Sequence, residues 1–228
     1  MILLTGGSGL LGTELRQYLD CYAPTSSELD ITNLEQVNRY IANHHVTLII
    51  HCAAYTDVTK AETEKELCYK INVLGTHNLV KQHLPMIHIS TDGVFSGSKG
   101  MYKEDDYLDP VNYYSFTKTL AEQPVQTLER WAIIRTTFRP WPFQREGACV
   151  DKYFSADYVQ IIGAMIIRFV SKFGTLDNGI YHVGGDRISV YNLARQSREV
   201  KPIKISDVTA VKLPKDTSLN INKWRQYG

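Results

Sequence analysis

The opening residues limit the fold more than any other feature of the chain. Met1-Ile2-Leu3-Leu4 runs directly into Thr5-Gly6-Gly7-Ser8-Gly9-Leu10-Leu11-Gly12. That run fits G-x-G-x-x-G through Gly7, Gly9 and Gly12, and G-x-x-G-x-x-G through Gly6, Gly9 and Gly12. In either frame a short buried strand turns tightly into a helix. The missing side chains let backbone N–H groups at the helix start approach a pyrophosphate, which the positive end of the helix dipole also favours. A glycine triplet alone is a weak signal, but behind an N-terminal apolar strand and ahead of a helical stretch it predicts a dinucleotide-binding βαβ unit. Gly6, Gly9, Leu10, Leu11 and Gly12 are its candidate cofactor contacts.

The next 120 or so residues keep alternating strand and helix signals. Leu10–Leu19 reads as a helix, and Cys21–Ala23 as a short strand stopped by Pro24. Thr32-Asn33-Leu34-Glu35 has capping-box spacing and predicts a helix to about Asn43. Val46–Ile50 is continuously apolar or β-branched, as in a parallel strand buried on both faces. Thr59-Lys60-Ala61-Glu62 repeats the capping-box spacing and predicts helical chain to about His83. Met86–Ser90 then reads as a strand, Tyr113–Leu120 as a helix start and Trp131–Arg135 as a strand. Parallel strands need crossovers and helices supply them, so the fold class is α/β, a Rossmann-type doubly wound parallel sheet. The pattern breaks at Phe138-Arg139-Pro140-Trp141-Pro142-Phe143. Beyond it the sequence predicts a helix around Ile161, a strand over Ile180–Val183, a helix over Val190–Arg198 and a polar tail. The expected division is a cofactor-binding domain over 1–136 and a small carboxyl-terminal substrate lobe over 137–228, with segments free to interleave.

Charge and composition remove several function classes. With 25 Lys+Arg against 24 Asp+Glu and no basic cluster, nothing favours nucleic acid or an anionic membrane surface. The first apolar run has four residues, and Ile161–Ile167 is bounded by Gln160 and Arg168, so no membrane span is expected and the location is read as cytoplasmic. Cys21, Cys52, Cys68 and Cys149 form no C-x-x-C pair and the seven histidines no ligand pattern, so neither disulfides nor a metal are expected.

NAD-binding versions of this unit place a carboxylate at the end of the second strand, where it binds the ribose 2′-hydroxyl. Here that strand ends in Ala23-Pro24-Thr25-Ser26-Ser27, and the first acids are Glu28 and Asp30. Hydroxyls can donate to a 2′-phosphate that a carboxylate would repel, so NADP(H) is preferred and NAD(H) is the alternative. Tyr114-Ser115-Phe116-Thr117-Lys118 gives Y-x-x-x-K, which puts a phenol and an ammonium on one helix face. The pair gains weight from its position one crossover after Ile89-Ser90-Thr91-Asp92, at the carboxyl end of a predicted strand, where open α/β sheets bind ligands.

These runs, in order, resemble an extended short-chain dehydrogenase/reductase of the dTDP-4-dehydrorhamnose reductase family. The resemblance covers nearly the whole chain. It adds Glu28–Thr32, His51–Val58 with Lys60–Glu62, Asn72, Ser90–Gly97, Arg135–Thr137 and, faintly, Leu213–Leu219. It implies a reductase in which NADPH delivers hydride to the C4 ketone of a nucleotide-linked 4-keto-6-deoxy sugar. Tyr114 would then donate the proton, Lys118 would hold the nicotinamide ribose and lower the Tyr114 pKa, and Thr91 would hydrogen-bond the reacting oxygen. It also implies cofactor contacts at Asp30 and Ile31 beside the adenine, at Ala53, Ala54 and Tyr55, and at Asn72 and Ser90. Asp92, Gly93, Val94, Phe138, Arg139 and Trp141 are the candidate substrate contacts, with Arg139 suited to a diphosphate and Trp141 to a base. Three departures stand out: Gly93 where the family often has Tyr, Ser115 where it often has Gly, and a pared-down substrate lobe. The alternatives are an epimerase or dehydratase on the same fold, and a non-catalytic NADP-binding subunit that regulates a partner enzyme. A homodimer through Ile161–Val170 is a further expectation.

Overall fold

Alternate residues of a strand point to opposite faces, and in this chain both faces are apolar. Leu3, Ile49, Met86 and Ile133 pack in one cluster, and their neighbours Leu4, Ile50, Ile87 and Ile134 pack in another. In the computed structural model, which describes residues 1–227, those strands form one parallel sheet. The first part of the chain runs β1 (Ile2–Thr5), α1 (Leu10–Leu15), β2 (Cys21–Tyr22), α2 (Leu34–Asn43), β3 (Leu48–His51), α3 (Lys65–Tyr69), α4 (Gly75–Val80), β4 (Met86–Thr91), α5 (Tyr113–Val125) and β5 (Trp131–Thr136). The second part runs β6 (Phe138–Arg139), β7 (Gly147–Cys149), β8 (Tyr153–Phe154), β9 (Asp157–Tyr158), α6 (Val159–Lys172), β10 (Gly179–His182), β11 (Ile188–Ser189), α7 (Val190–Ala194), β12 (Lys201–Ile203) and α8 (Asn222–Arg225).

The sheet order is β10-β5-β4-β3-β1-β2, with every pair parallel. The strand order reverses between β1 and β3, and the carboxyl ends there open the crevice that doubly wound sheets use for ligands. α1 and α6 cover one face through Leu11, Leu15, Ile162, Ile166 and Phe169, while residues such as Val37, Leu79 and Val125 from α2, α4 and α5 cover the other. No described helix is long and apolar enough to cross a membrane.

Residues beyond 136 are not confined to a separate lobe. β10 pairs with β5 inside the large sheet, and α6 lies against its face. The rest forms three two-stranded sheets around Phe143, Phe154, Tyr158 and Leu193. The tail expected to be merely polar is packed. Leu219 and Ile221 join Val94, Phe95 and Tyr102, and Trp224 joins Phe169. Its apolar residues follow no helical or strand period, so pattern alone does not reveal that they are buried.

Two helical expectations are corrected by local chemistry. α1 stops at Leu15, where Tyr18 N–H donates to Leu15 O at 3.1 Å and tightens the chain into turns. The stretch 59–83 is one winding in four pieces: a 3-10 turn at Lys60–Glu62, α3, a π-helical turn at Lys70–Leu74, and α4. Its start is capped by Asp57, whose Oδ1 accepts from Thr59 N and Lys60 N at 3.1 and 3.0 Å, and not by Thr59. The π turn carries Asn72 inward.

Candidate active site

A cleft of about 660 Å³ opens along the carboxyl ends of β1, β3 and β4. At its first end the chain turns on Gly6, whose φ of +72° is in the left-handed region that glycine adopts at little cost. A Cβ at Gly6 would lie 2.6 Å from Ala53 N, and one at Gly12 would lie 2.1 Å from Gly6 O. These clashes are with backbone, so the turn and the start of α1 can sit this close to the β3 end only without side chains. Gly6, Gly9, Leu10, Leu11 and Gly12 all line the cleft, as do Ala53 and Ala54. Such a cradle fits the pyrophosphate of a dinucleotide. Pro24, Ser26, Asp30, Ile31 and Thr32 line the same end. Glu28 does not. Its Oε2 accepts from Thr25 N and Oγ1 at 2.8 and 2.9 Å, which closes the Thr25–Glu28 turn on itself.

The catalytic candidates meet at the end of β4. Thr91, Tyr114 and Lys118 line the cleft together, two of them one helical turn apart on α5. Asn112 caps that helix by accepting from Ser115 N at 2.9 Å. The Thr91 hydroxyl donates to Asp92 Oδ1 at 3.3 Å and accepts from Gly93 N at 3.1 Å. Burial first, and the Asp92 carboxylate second, push the Tyr114 phenol above its ordinary pKa, and Thr91 opposes them. The phenol is therefore protonated at neutral pH. The Lys118 ammonium donates to Ile89 O at 2.8 Å and approaches His88 Nε2 at 3.3 Å. Burial pulls Lys118 down to about 8, against the upward pull of Glu122, Cys52 and Cys68.

Beneath these residues lies a dry polar layer on the face of the sheet that α5 covers. Glu122 and Arg135 form a buried pair at 2.8 Å, and Ser90 Oγ donates to Glu122 Oε1 at 2.5 Å. Ser90 borders the cleft, but its hydroxyl is thereby turned toward Glu122.

The other end of the cleft is built from the second half of the chain. Phe138, Arg139, Lys152, Phe154, Leu213, Pro214 and Thr217 line it beside Asp92 and Gly93. Arg139 lies over the Phe154 ring at 5.1 Å and donates through Nη1 to Phe138 O at 2.7 Å. Lys152 Nζ donates to Pro214 O at 2.7 Å. Thr217 Oγ1 donates to Asp92 Oδ2 at 2.5 Å. Burial raises the Asp92 pKa, against Lys152, Thr217, Arg139 and Thr91. Both cations thus lie within electrostatic reach of this buried carboxylate.

Four expected contacts are displaced from the cleft. Val94 belongs to the buried cluster of Phe95 and Tyr102, because the 3-10 turn after Thr91 points it into the core. Trp141 is 52% exposed and stands edge-on to Tyr158 at 4.6 Å, beyond the cleft wall. Asn72 is buried behind the cleft. Its Oδ1 accepts from Tyr55 N at 2.7 Å, and its Nδ2 donates to Tyr55 O at 3.2 Å and Thr117 Oγ1 at 2.9 Å. It therefore ties the loop after β3 to the helix of Tyr114. The Tyr55 hydroxyl turns outward to Glu64 at 2.7 Å. The other expected residues all line the cleft. Lys152, Phe154, Leu213, Pro214 and Thr217 are additions. For Leu213, Pro214 and Thr217 the only sequence signal was the faint resemblance over Leu213–Leu219, which carried no role, and Lys152 and Phe154 had none.

The two single-residue departures belong together. A Cβ at Gly93 would lie 2.6 Å from Ser115 Oγ, so the hydroxyl at 115 occupies room that a side chain at 93 would need.

Residues 1–152 match the RmlD substrate binding domain. The dTDP-4-dehydrorhamnose reductase of Aggregatibacter actinomycetemcomitans is 32% identical, over 85% of this chain and 76% of that one. Among solved structures, the dTDP-4-dehydrorhamnose reductase of Bacillus anthracis in complex with NADP superposes with a TM-score of 0.89 at 29% identity, covering 100% of this chain and 92% of that one. A hypothetical dTDP-4-dehydrorhamnose reductase from Sulfolobus tokodaii superposes at 0.86 and 32% identity, over 99% and 93% of the two chains. On these matches the chain belongs to the dTDP-4-dehydrorhamnose reductase (RmlD) family.

Proposed function

We propose that the protein is an NADPH-dependent reductase that converts the C4 ketone of a nucleotide-linked 4-keto-6-deoxy sugar into an alcohol. The observation that carries this reading is the convergence of Thr91, Tyr114 and Lys118 on one cleft whose far end is a glycine cradle. Residues 1–136 supply the cofactor end and residues 137–228 most of the substrate end.

In this reading Gly6, Gly9, Leu10, Leu11 and Gly12 hold the pyrophosphate, and Asp30 and Ile31 border the adenine. Ser26 and Thr32 offer hydroxyls at the ribose end, where the lining holds no cation. NADPH, when bound, supplies the hydride that adds to the carbonyl carbon. Tyr114, kept protonated by burial, gives its proton to the oxygen as negative charge develops there. Thr91, on the same cleft wall, donates to the same oxygen. Lys118, cationic below about pH 8, holds the ribose hydroxyls and adds positive potential beside the phenol. Arg139 and Lys152 meet the diphosphate of the substrate, since two cleft cations with one carboxylate nearby favour a dianionic ligand. A cytoplasmic setting suits a substrate of this polarity.

The test is NADPH oxidation against a panel of nucleotide-linked 4-keto-6-deoxy sugars. Tyr114→Phe should reduce turnover by about 10²-fold or more while NADPH affinity stays within about twofold, as loss of a general acid predicts. Full activity in Tyr114→Phe would overturn the mechanism. A tightly held cofactor with no net oxidation would point to the epimerase or dehydratase alternative. NADPH binding with no turnover, in a protein that co-purifies with an unrelated enzyme, would point to the regulatory one.

A further inference from the structure

His88 is completely buried on β4, with its ring 5.1 Å from that of His51. Burial holds both imidazoles neutral, far below the ordinary histidine range in the case of His88 and at about 3 in that of His51. A neutral imidazole has one N–H and one lone pair. Lys118 as an ammonium can only donate, so His88 Nε2 at 3.3 Å must accept, and the ring proton must sit on Nδ1. There it has no partner among the described residues. His51 cannot relieve it. Thr76 Oγ1 donates to Asn72 O at 2.6 Å and therefore accepts from His51 Nε2 at 2.9 Å, while Thr5 Oγ1 donates to His51 Nδ1 at 2.7 Å.

A residue kept at this place for packing alone would be better without the unpaired N–H, and leucine would fill the space. What the imidazole provides is the Nε2 lone pair. The ammonium has three protons, and β4 takes two of them, through Ile89 O and His88 Nε2. The third is left for the cleft that Lys118 lines. We propose that His88 is a positioning residue that fixes the Lys118 ammonium so that its free proton is presented to the cofactor. This rests on the reading above, in which Lys118 holds the cofactor ribose. The titratable groups facing Lys118 are Tyr114 and Glu122 on its own helix, His88 on β4, His51 and Cys52 at β3, and Cys68 on α3. Glu122 is engaged by Arg135 at 2.8 Å.

The experiment is fluorescence titration of the full chain with NADPH from pH 6.5 to 9, on the parent and on His88→Leu, His88→Asn and His88→Gln, with melting curves alongside. His88→Leu should melt no lower than the parent and bind NADPH about tenfold more weakly, with its alkaline limb moved down by about one pH unit as the ammonium loses its acceptor. Glutamine places a carbonyl oxygen near the position of Nε2 and should restore affinity and limb to within about twofold. Asparagine is too short and should behave as leucine. Equal affinities and equal limbs in all three variants would overturn the proposal, and the Asn and Gln pair decides it if the leucine variant does not fold. The expected split in binding, in a protein that turns over no keto sugar, would sink the reductase reading and leave this assignment standing.

Discussion

Glu122 accepts from Arg135 Nε at 3.1 and 3.3 Å, from Arg135 Nη2 at 2.8 Å and from Ser90 Oγ at 2.5 Å. Both partners of the pair are 1% exposed. Glu122→Gln keeps the volume and one carbonyl acceptor but removes the charge that compensates Arg135. Leaving one charge of a buried pair alone costs about 3–5 kcal/mol, and the retained acceptor puts this substitution near the lower end, at about 3 kcal/mol. Set against a typical total of about 5–15 kcal/mol, that is a large share. Urea unfolding at pH 7.5 should therefore show a much lower midpoint with an unchanged slope. A second consequence reaches the cleft. Glu122 holds the Lys118 pKa up, so without it the ammonium is lost below its present value of about 8. NADPH affinity should then begin to fall at lower pH than in the parent. Replacing both partners, as Glu122→Leu with Arg135→Met, removes both desolvated charges and should recover part of the stability. A loss under about 1 kcal/mol in Glu122→Gln, or a double variant no better than the single one, would refute the view that this layer is dry.

Two further outcomes follow from single positions. Gly93→Ala should cost about 1 kcal/mol in unfolding experiments, because its Cβ would meet Ser115 Oγ at 2.6 Å, and adding Ser115→Gly should restore the parent value. His182 is buried and neutral, held at about 3 by burial and Arg135, while unfolded histidine titrates near 6.5. Its folded pKa is depressed, so the stability it contributes is present above about 6.5 and falls as pH drops toward 3. His182→Leu should flatten the stability curve between pH 6 and 5 by about 1.4 kcal/mol per pH unit, and an unchanged slope would count against a neutral native histidine.

The sheet was legible because its signals are local. Leu3, Ile49, Met86 and Ile133 alternate with their neighbours in strands buried on both faces, and the glycine run and Y-x-x-x-K each lie within eight residues. The polar positions of the same strands carried information that residue-type reasoning passed over. His51 pairs in register with His88, and Ser90 with Arg135, on the face of the sheet that α5 covers. A polar residue at every second position near the end of a buried strand signals groups that must be satisfied by the covering helix. The π turn at Asn72 was not legible, since its partners Tyr55 and Thr117 lie elsewhere in the chain, and the helix stop at Leu15 was not, since the apolar spacing continues to Leu19 through turns.

The substrate end was illegible for a different reason. Its wall comes from 137–139, 152–154 and 213–217, and no one of these runs carries a periodic pattern. The contacts that assemble it are long-range: Thr217 to Asp92 across 125 positions, Asn112 Nδ2 to Lys212 O across 100, and Lys152 to Pro214 across 62. Gly97 and Gly100 lie so close to this segment that a Cβ on either would meet Pro214 or Asp216 at 2.6 Å. A segment from the carboxyl-terminal region thus straps across the substrate end of the cleft. Asp92 has two tasks in that arrangement. It receives the strap through Thr217, and its charge raises the Tyr114 pKa. The strap's seating and the protonation of the phenol are therefore coupled through a single carboxylate.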